Sequence, residues 1–513
     1  MTKDDIYPLY LEQLQGLQQF RQSYHGMNQT QALERDDPEL LRLTEALAYC
    51  SAHSQLLGQR AIKKHQANLN AQIHPYMMTP LPAKTILQLI PTEKLPQRVE
   101  IKAGTSVLLE VEEGSVASFK TCRSTHVLPM AYTGLAVHQC SLREYEIQLE
   151  FRAFSAQSKV PGKVPVLLDV CQDVHQTLGL YYGMLDAEFS VSFDKSEISY
   201  PCVFKPYQED FYPGMHPVES SRQQFHFPQA QFCIELDIPE APTSWQYLNV
   251  HFKVKRDLLP NWQQDFFRPF CVPVINLQNA AAQRIKAEGT QARYPILPAE
   301  QGSKSQLHSV LGVYHVQQQD KRPLLPSLLH GALLKNNLIP SFGLNWDADR
   351  TVTLDLNLPQ AFDNPCNIDI EAYWHQPEFS QLFWQKTRVT PLNIGVPGIE
   401  WQIAGAKRKC HQAISSLEQL QVLLALRSNE VMAPIHINTL VSMISMQWAD
   451  VFEVIAEGYI GAVQQNELNR FSLHLKLGKQ HKPLARLFLA YLRSLVSAWF
   501  APQVIELAIE FVN

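Results

Sequence analysis

An α+β, multidomain architecture is the fold class this sequence predicts: an N-terminal helical segment, a β-rich middle and a C-terminal strand-helix-strand unit. Three observations lead there. Apolar residues keep a three/four spacing through much of the first 80 positions, they alternate with period two through much of the middle, and the last 70 residues switch from strand to helix to strand patterning. At 513 residues the chain exceeds what one core usually supports. Its changes of texture place domains at 1–80 (helical), 81–300 (β-rich), 301–440 (a second β-rich section) and 441–513 (a compact α/β unit).

Residues 6–24 carry Tyr10, Leu14, Leu17 and Tyr24 on one helical stripe, broken at Arg21. A second helix starts where Asp37 can cap and Pro38 can occupy the first position, since proline's missing N–H has no partner to lose there. Leu40, Leu43, Leu47, Cys50, Ser54, Leu57 and Ala61 follow in a heptad-like rhythm. Such a seam suits either an internal helical hairpin or a partner's helix, because both use the same packing. Pro75, Pro80, Pro82, Pro91 and Pro96 then forbid a long helix and put a boundary near residue 80. Beyond it, Tyr145, Ile147, Leu149 and Phe151 alternate with polar residues as in a strand with one wet face. Further strands are predicted at 84–90, 164–170, 232–238 and 247–254, with a helix over 172–184. Val352, Leu354, Leu356 and Leu358 alternate after the turn-like run Asn345 to Asp349, which lacks the glycine and glutamate of a calcium loop. At the end, Phe471 to Leu477 and Ile505 to Phe511 alternate as strands, and Leu484, Leu487, Phe488, Tyr491, Leu492, Leu495 and Trp499 line a helix between them.

Several function classes drop out on composition. Charged residues are 18% and the net charge is -5, so no basic excess invites nucleic acid or anionic lipid. The start, Met-Thr-Lys-Asp-Asp, is acidic where a signal peptide is basic, and Arg486 and Arg493 interrupt the most apolar long segment, 484–500. The expected location is therefore cytoplasmic, with no membrane insertion. Nine cysteines without a C-x-x-C pattern predict neither a disulfide framework nor zinc. No phosphate loop, G-x-S-x-G elbow or H-E-x-x-H pair occurs, although triads assembled from distant residues stay open. His308 with His315 and His474 with His481 lie seven apart on predicted strands and so on opposite faces. Lys407-Arg408-Lys409 reads as a solvated loop. No catalytic residue, cofactor or metal ligand is assigned.

Several segments stand out as a series in one order. They are Tyr10-Leu11-Glu12-Gln13-Leu14; Asp37-Pro38 through Arg42-Leu43-Thr44-Glu45-Ala46-Leu47-Ala48; the exit Pro75-Tyr76-Met77-Met78-Thr79-Pro80-Leu81-Pro82; and Gly104-Thr105 with Phe119-Lys120-Thr121. Phe225-His226-Phe227-Pro228, Cys271-Val272-Pro273 with Asn276-Leu277, and Tyr294-Pro295 continue the series. In this order the segments resemble the TssF family of type VI secretion baseplate subunits. The likeness runs over residues 1 to about 300 and loosely over the last unit, and lapses between about 365 and 440. Physically, Pro228 and Pro273 should end or redirect strands and Asn276 should bond neighbouring backbone. The resemblance implies a non-enzymatic wedge subunit that joins TssG, TssK, TssE, the VgrG hub and a second copy of itself, and docks at the inner-membrane complex through the baseplate. Tyr10, Leu14, Leu17, Leu40, Leu43 and Leu47 are then the candidate partner-helix interface, with Asp37, Pro38, Pro80, Pro82, Phe227, Pro228, Pro273 and Asn276 as scaffold residues. Two rival readings are a baseplate component of a phage-like extracellular injection system and a β-rich carbohydrate-active enzyme using Trp245, Trp262 and Trp374 as a sugar platform.

Overall fold

The computed structural model describes residues 6–27, 38–157, 162–194, 198–206, 216–239, 244–255, 261–291, 293–300, 304–317, 320–327, 340–346, 351–358, 361, 364–382, 386–392, 397–411, 424–425, 432–445, 447–465, 469–500 and 504–512. Contacts divide the chain into two compact units, Met1–His74 with Leu344–Thr351, and Pro75–Gly343 with Val352–Asn513. Asp37 and the run Asp347 to Asp349 lie outside the described residues.

In the first unit, helices α1 (Tyr7–Met27) and α2 (Pro38–Ile73) pair as a hairpin. Gln13 ties them together: its amide donates to Gln55 Oε1 at 2.9 Å and its carbonyl oxygen accepts from Ser51 Oγ at 2.9 Å. Tyr10, Leu14, Leu17 and Leu40 are half-buried, while Ala48, Ala52 and Leu56 supply the buried stripe of α2. At about 100° per residue, that stripe lies about 180° around the helix from the mean direction of Leu43, Leu47, Cys50, Ser54 and Leu57. The predicted seam is thus not the one the hairpin uses. Every member after Leu40 is exposed, Leu43 by 59% and Leu47 by 53%.

The second unit contains a six-stranded sheet in the order Thr387–Pro391, Ser106–Val111, Val116–Thr121, Cys271–Ile275, Lys84–Pro91 and Ile399–Ile403. Pro273 lies inside a central strand of it, opposite Ile86, and does not end or redirect that strand. Its carbonyl accepts from the Cys122 amide at 2.8 Å, just past the end of strand Val116–Thr121. A residue's N–H and C=O share one side of a strand, so the only bond this proline forfeits lies at a ladder end. An eight-stranded sheet carries the predicted alternation, with Ile147, Leu149 and Phe151 buried in strand Glu144–Gln157. The helix expected over 172–184 is α4 (Val174–Leu185), capped by Asp173, whose carboxylate accepts from the His175 and Gln176 amides.

Trp245 and Trp374 are 3% exposed, and the Trp374 indole N–H donates to Ala280 O at 3.0 Å. Two of the three tryptophans of the proposed sugar platform are therefore core residues, because their large apolar area fills the sheets instead of facing water. At the C-terminus, strands Arg470–Leu475 and Glu506–Phe511 pair in parallel, Phe471 opposite Leu507, with helix Lys482–Trp499 between them in sequence. All seven residues predicted for its apolar face are buried. That face packs on helix α5 (Pro217–His226), where Phe225 meets Trp448, Phe488 and Tyr491 at ring separations of 5.4–5.8 Å.

Candidate interaction site

Within the second unit, the proline-rich exit segment is tied to α5 by polar groups that the core encloses. Helix α3 (Pro75–Met78) opens the segment, and prolines at 75, 80 and 82 leave several carbonyls without helical donors. Arg222, 1% exposed, supplies donors: Nη1 to Tyr76 O at 2.5 Å, Nη2 to Thr79 O at 2.8 Å and Nε to Gln447 Oε1 at 3.0 Å. Burial lowers its pKa to about 10, partly offset by Glu219, so it stays charged at neutral pH. One turn on, His226 Nε2 meets Pro82 O at 3.1 Å, and burial, with Arg408 and Lys84 nearby, holds its imidazole well below the usual pKa and therefore neutral. Tyr76 also stacks on His216 at 3.7 Å between ring centres. Two segments whose joined residues lie 143 to 146 apart in sequence thus form one joint, with Phe227 and Pro228 buried beside it and Pro80 half-buried.

Asn276 makes a second joint. Its side chain donates to Ser118 O at 2.9 Å and accepts from the Gln376 amide at 2.6 Å, and its own amide donates to Ala83 O at 2.8 Å. The expectation of bonds to neighbouring backbone is too local: two of its partners lie 158 and 100 residues away. Sequence reasoning also passed over Arg222 and assigned Arg408 to a solvated loop. Arg408 instead bridges Lys84 in a β-bridge and holds Asp450 Oδ1 at 2.7 Å. A lone arginine in a helix carries no local pattern that announces burial.

The outer stripe of α2, in the first unit, is the other feature of interest. Leu43, Leu47 and Leu57 present three leucines over four turns of one face, and Pro38 opens the helix as expected. Tyr10, Leu14 and Leu17 are half-buried on α1. Among the described residues no group of three or more histidine, cysteine or acidic side chains is arranged to hold a metal. His481 is not on a strand but precedes the C-terminal helix, its ring 4.8 Å from that of His175. No described helix is long and apolar enough to cross a membrane.

Comparison with known proteins gives these features a context. No curated protein matches the sequence. Two solved structures share the fold. A chain of the type VI secretion TssK-TssF-TssG baseplate subcomplex, determined by cryo-electron microscopy, aligns with a TM-score of 0.72 at 12% identity over 92% of this chain and 96% of that one. A chain of the type VI secretion baseplate complex aligns with a TM-score of 0.57 at 11% identity over 99% and 97%. The model of the family described as "Type VI secretion system, TssF" matches residues 15–169 and 221–350, more than half of the sequence, and the chain belongs to that family.

Proposed function

We propose that this chain is a structural subunit of the type VI secretion baseplate wedge, acting in the cytoplasm by holding other subunits in place. TssG and TssK, named with a TssF chain in the similar subcomplex, are its proposed partners. TssE, the VgrG hub, a second copy of this chain and docking at the inner-membrane complex through the baseplate complete the reading. The observation that carries it, beside family membership, is the leucine stripe of α2 left uncovered by the hairpin's own seam. Burying a leucine side chain contributes about 1.5–3 kcal/mol, so three of them supply a useful association energy before ordering costs. Replacing Leu43 and Leu47 by Asp tests this. Co-purification with TssG should be lost while the isolated chain melts at an unchanged temperature; an intact complex would remove the stripe from the interface.

A further inference from the structure

The eight-stranded sheet of the second unit ends in an open edge. Its last strand, Met130–Gln139, pairs with Glu144–Gln157 on one side, and among the described residues no strand pairs with the other. Such an edge invites a further chain, and proteins usually blunt it with charge, proline, a bulge or brevity. The sheet's opposite edge, Phe267–Pro269, follows that rule: it is three residues long, carries Arg268 and ends in proline. So does Asp320–Pro323, an edge of the five-stranded sheet, which is exposed throughout and charged at three of its four positions. Met130–Gln139 is ten residues long and holds no proline, aspartate, glutamate, lysine or arginine. Its bulge at Thr133 leaves Gly134 to Gln139 in unbroken register with Glu150 to Tyr145.

The two faces of that edge differ. Tyr132, Leu135 and Val137 share the apolar face with Phe151, Leu149 and Ile147. Leu135 is only half-buried and Val137 is 38% exposed, so the rim of the core is uncovered there. On the other face Gly134, Ala136 and His138 stand opposite Glu150, Gln148 and Glu146. Glu150 leans over the edge strand: its Oε2 lies 3.6 Å from where a Gly134 Cβ would sit, while its Oε1 accepts from Gln148 Nε2 at 3.2 Å. Glu146 meets the Cys140 thiol at 3.5 Å and His251 Nδ1 at 3.8 Å. Burial holds His251 below its usual pKa, so its imidazole is neutral at neutral pH and does not balance the carboxylate. Lys253 stands opposite Glu146 on strand Trp245–Lys255, and Arg152 lies over the Tyr247 ring. Among the described residues neither carboxylate has a lysine or arginine within ion-pair distance.

We propose that the edge strand Met130–Gln139 takes up an extended segment of a partner protein in which apolar and basic residues alternate, adding it to the sheet as a further strand. Neighbouring strands lie about 4.8 Å apart, and the side chains of an added strand fall alternately on its two faces. One set covers Leu135 and Val137. The other reaches across Gly134 and Ala136, whose small side chains leave room for a lysine stem to bring its ammonium to Glu150 or Glu146. A second copy of this chain is the poorer occupant, because antiparallel pairing of two such edges puts both sets of glutamates on one face. The proposal rests on the reading of the chain as an assembly subunit, but its test avoids the hairpin. The full chain is titrated with three octapeptides capped at both ends: valine alternating with lysine, the same composition in two blocks, and valine alternating with glutamate. The first should bind, the other two at least about tenfold more weakly, and hydrogen exchange should slow on binding at residues 130–139. Glu146→Gln with Glu150→Gln on the polar face, and Val137→Lys at the rim, should each weaken binding about fivefold or more while the chain melts at an unchanged temperature. No binding of the alternating valine-lysine peptide, equal binding of the two-block peptide, protection only outside residues 130–139, or affinity unchanged in both variants would overturn the proposal. So would a dimer of the free chain that Val137→Lys dissolves, since the second copy would then be the occupant. Any such failure would leave the loss of TssG in the Leu43→Asp, Leu47→Asp variant standing, so the two readings are separable.

Discussion

The helical hairpin and the second unit use apolar residues in opposite ways. In the hairpin the buried positions of α2 are mostly small, Ala48 and Ala52, while Leu43, Leu47 and Leu57 stay in water. In the second unit, bulky apolar side chains such as Phe225, Phe227, Phe252 and Trp499 are fully enclosed, and the groups left facing one another inside are polar and joined. The difference teaches that side-chain hydrophobicity does not by itself say where a residue goes. In the hairpin, close approach of two helices needs small residues at the contact, which leaves the large ones for another surface. In the second unit, dense packing consumes the large ones and favours joining enclosed polar groups to one another, as Arg222 and Asn276 are joined.

The sharpest way to break this contrast is at Arg222. Arg222→Met leaves the Tyr76 and Thr79 carbonyls and Gln447 without their donor, and we expect a loss of about 3–5 kcal/mol in chemical denaturation. Ala48→Asp comes next: a carboxylate on the buried stripe should cost at least about 2 kcal/mol and speed hydrogen exchange in α1 and α2 only. Asn276→Ala removes the joint to Ser118 and Gln376 and should cost about 1–3 kcal/mol, read as a lowered denaturation midpoint with an unchanged slope. A pH series probes the enclosed imidazoles. Burial, with His375 nearby, takes the His308 pKa down to about 3, against about 6.5 in an unfolded chain. The unfolded state then binds the extra proton, so the contribution is complete above about pH 6.5 and falls as pH drops, by up to about 1.4 kcal/mol per unit. His308→Gln should flatten that part of the profile between pH 6 and 4. The smallest effect belongs to Leu47→Asp alone, within about 0.5 kcal/mol for the isolated chain; a larger loss would mean that the exposed stripe supports the hairpin itself.

Much of the fold was legible along the chain. The two N-terminal helices, the strand at 144–157 and the strand-helix-strand end follow from hydrophobic period alone, because each is stabilised by one continuous apolar face. The candidate site was legible in part. Pro82 and Phe227 stood out as family-like residues, yet nothing local shows that His226 reaches the Pro82 carbonyl or that Arg222 spans to Tyr76. Pro273 was read as a strand breaker because a proline's harm depends on which ladder bond it forfeits, and that is a property of the neighbouring strand. Trp245 and Trp374 were read as exposed for the same kind of reason: a tryptophan's environment is decided by what stacks over it.

By itself, the order of residues determined the secondary structure of the long periodic segments, the membership of the chain in the TssF family and the lack of a net basic excess, since these depend on spacing and composition. Only the tertiary structure decided which stripe of α2 the hairpin covers and which carbonyls Arg222 and His226 meet. Those outcomes depend on contacts between segments from 38 to 146 residues apart, and a local pattern carries no information about which distant surface will arrive to cover it.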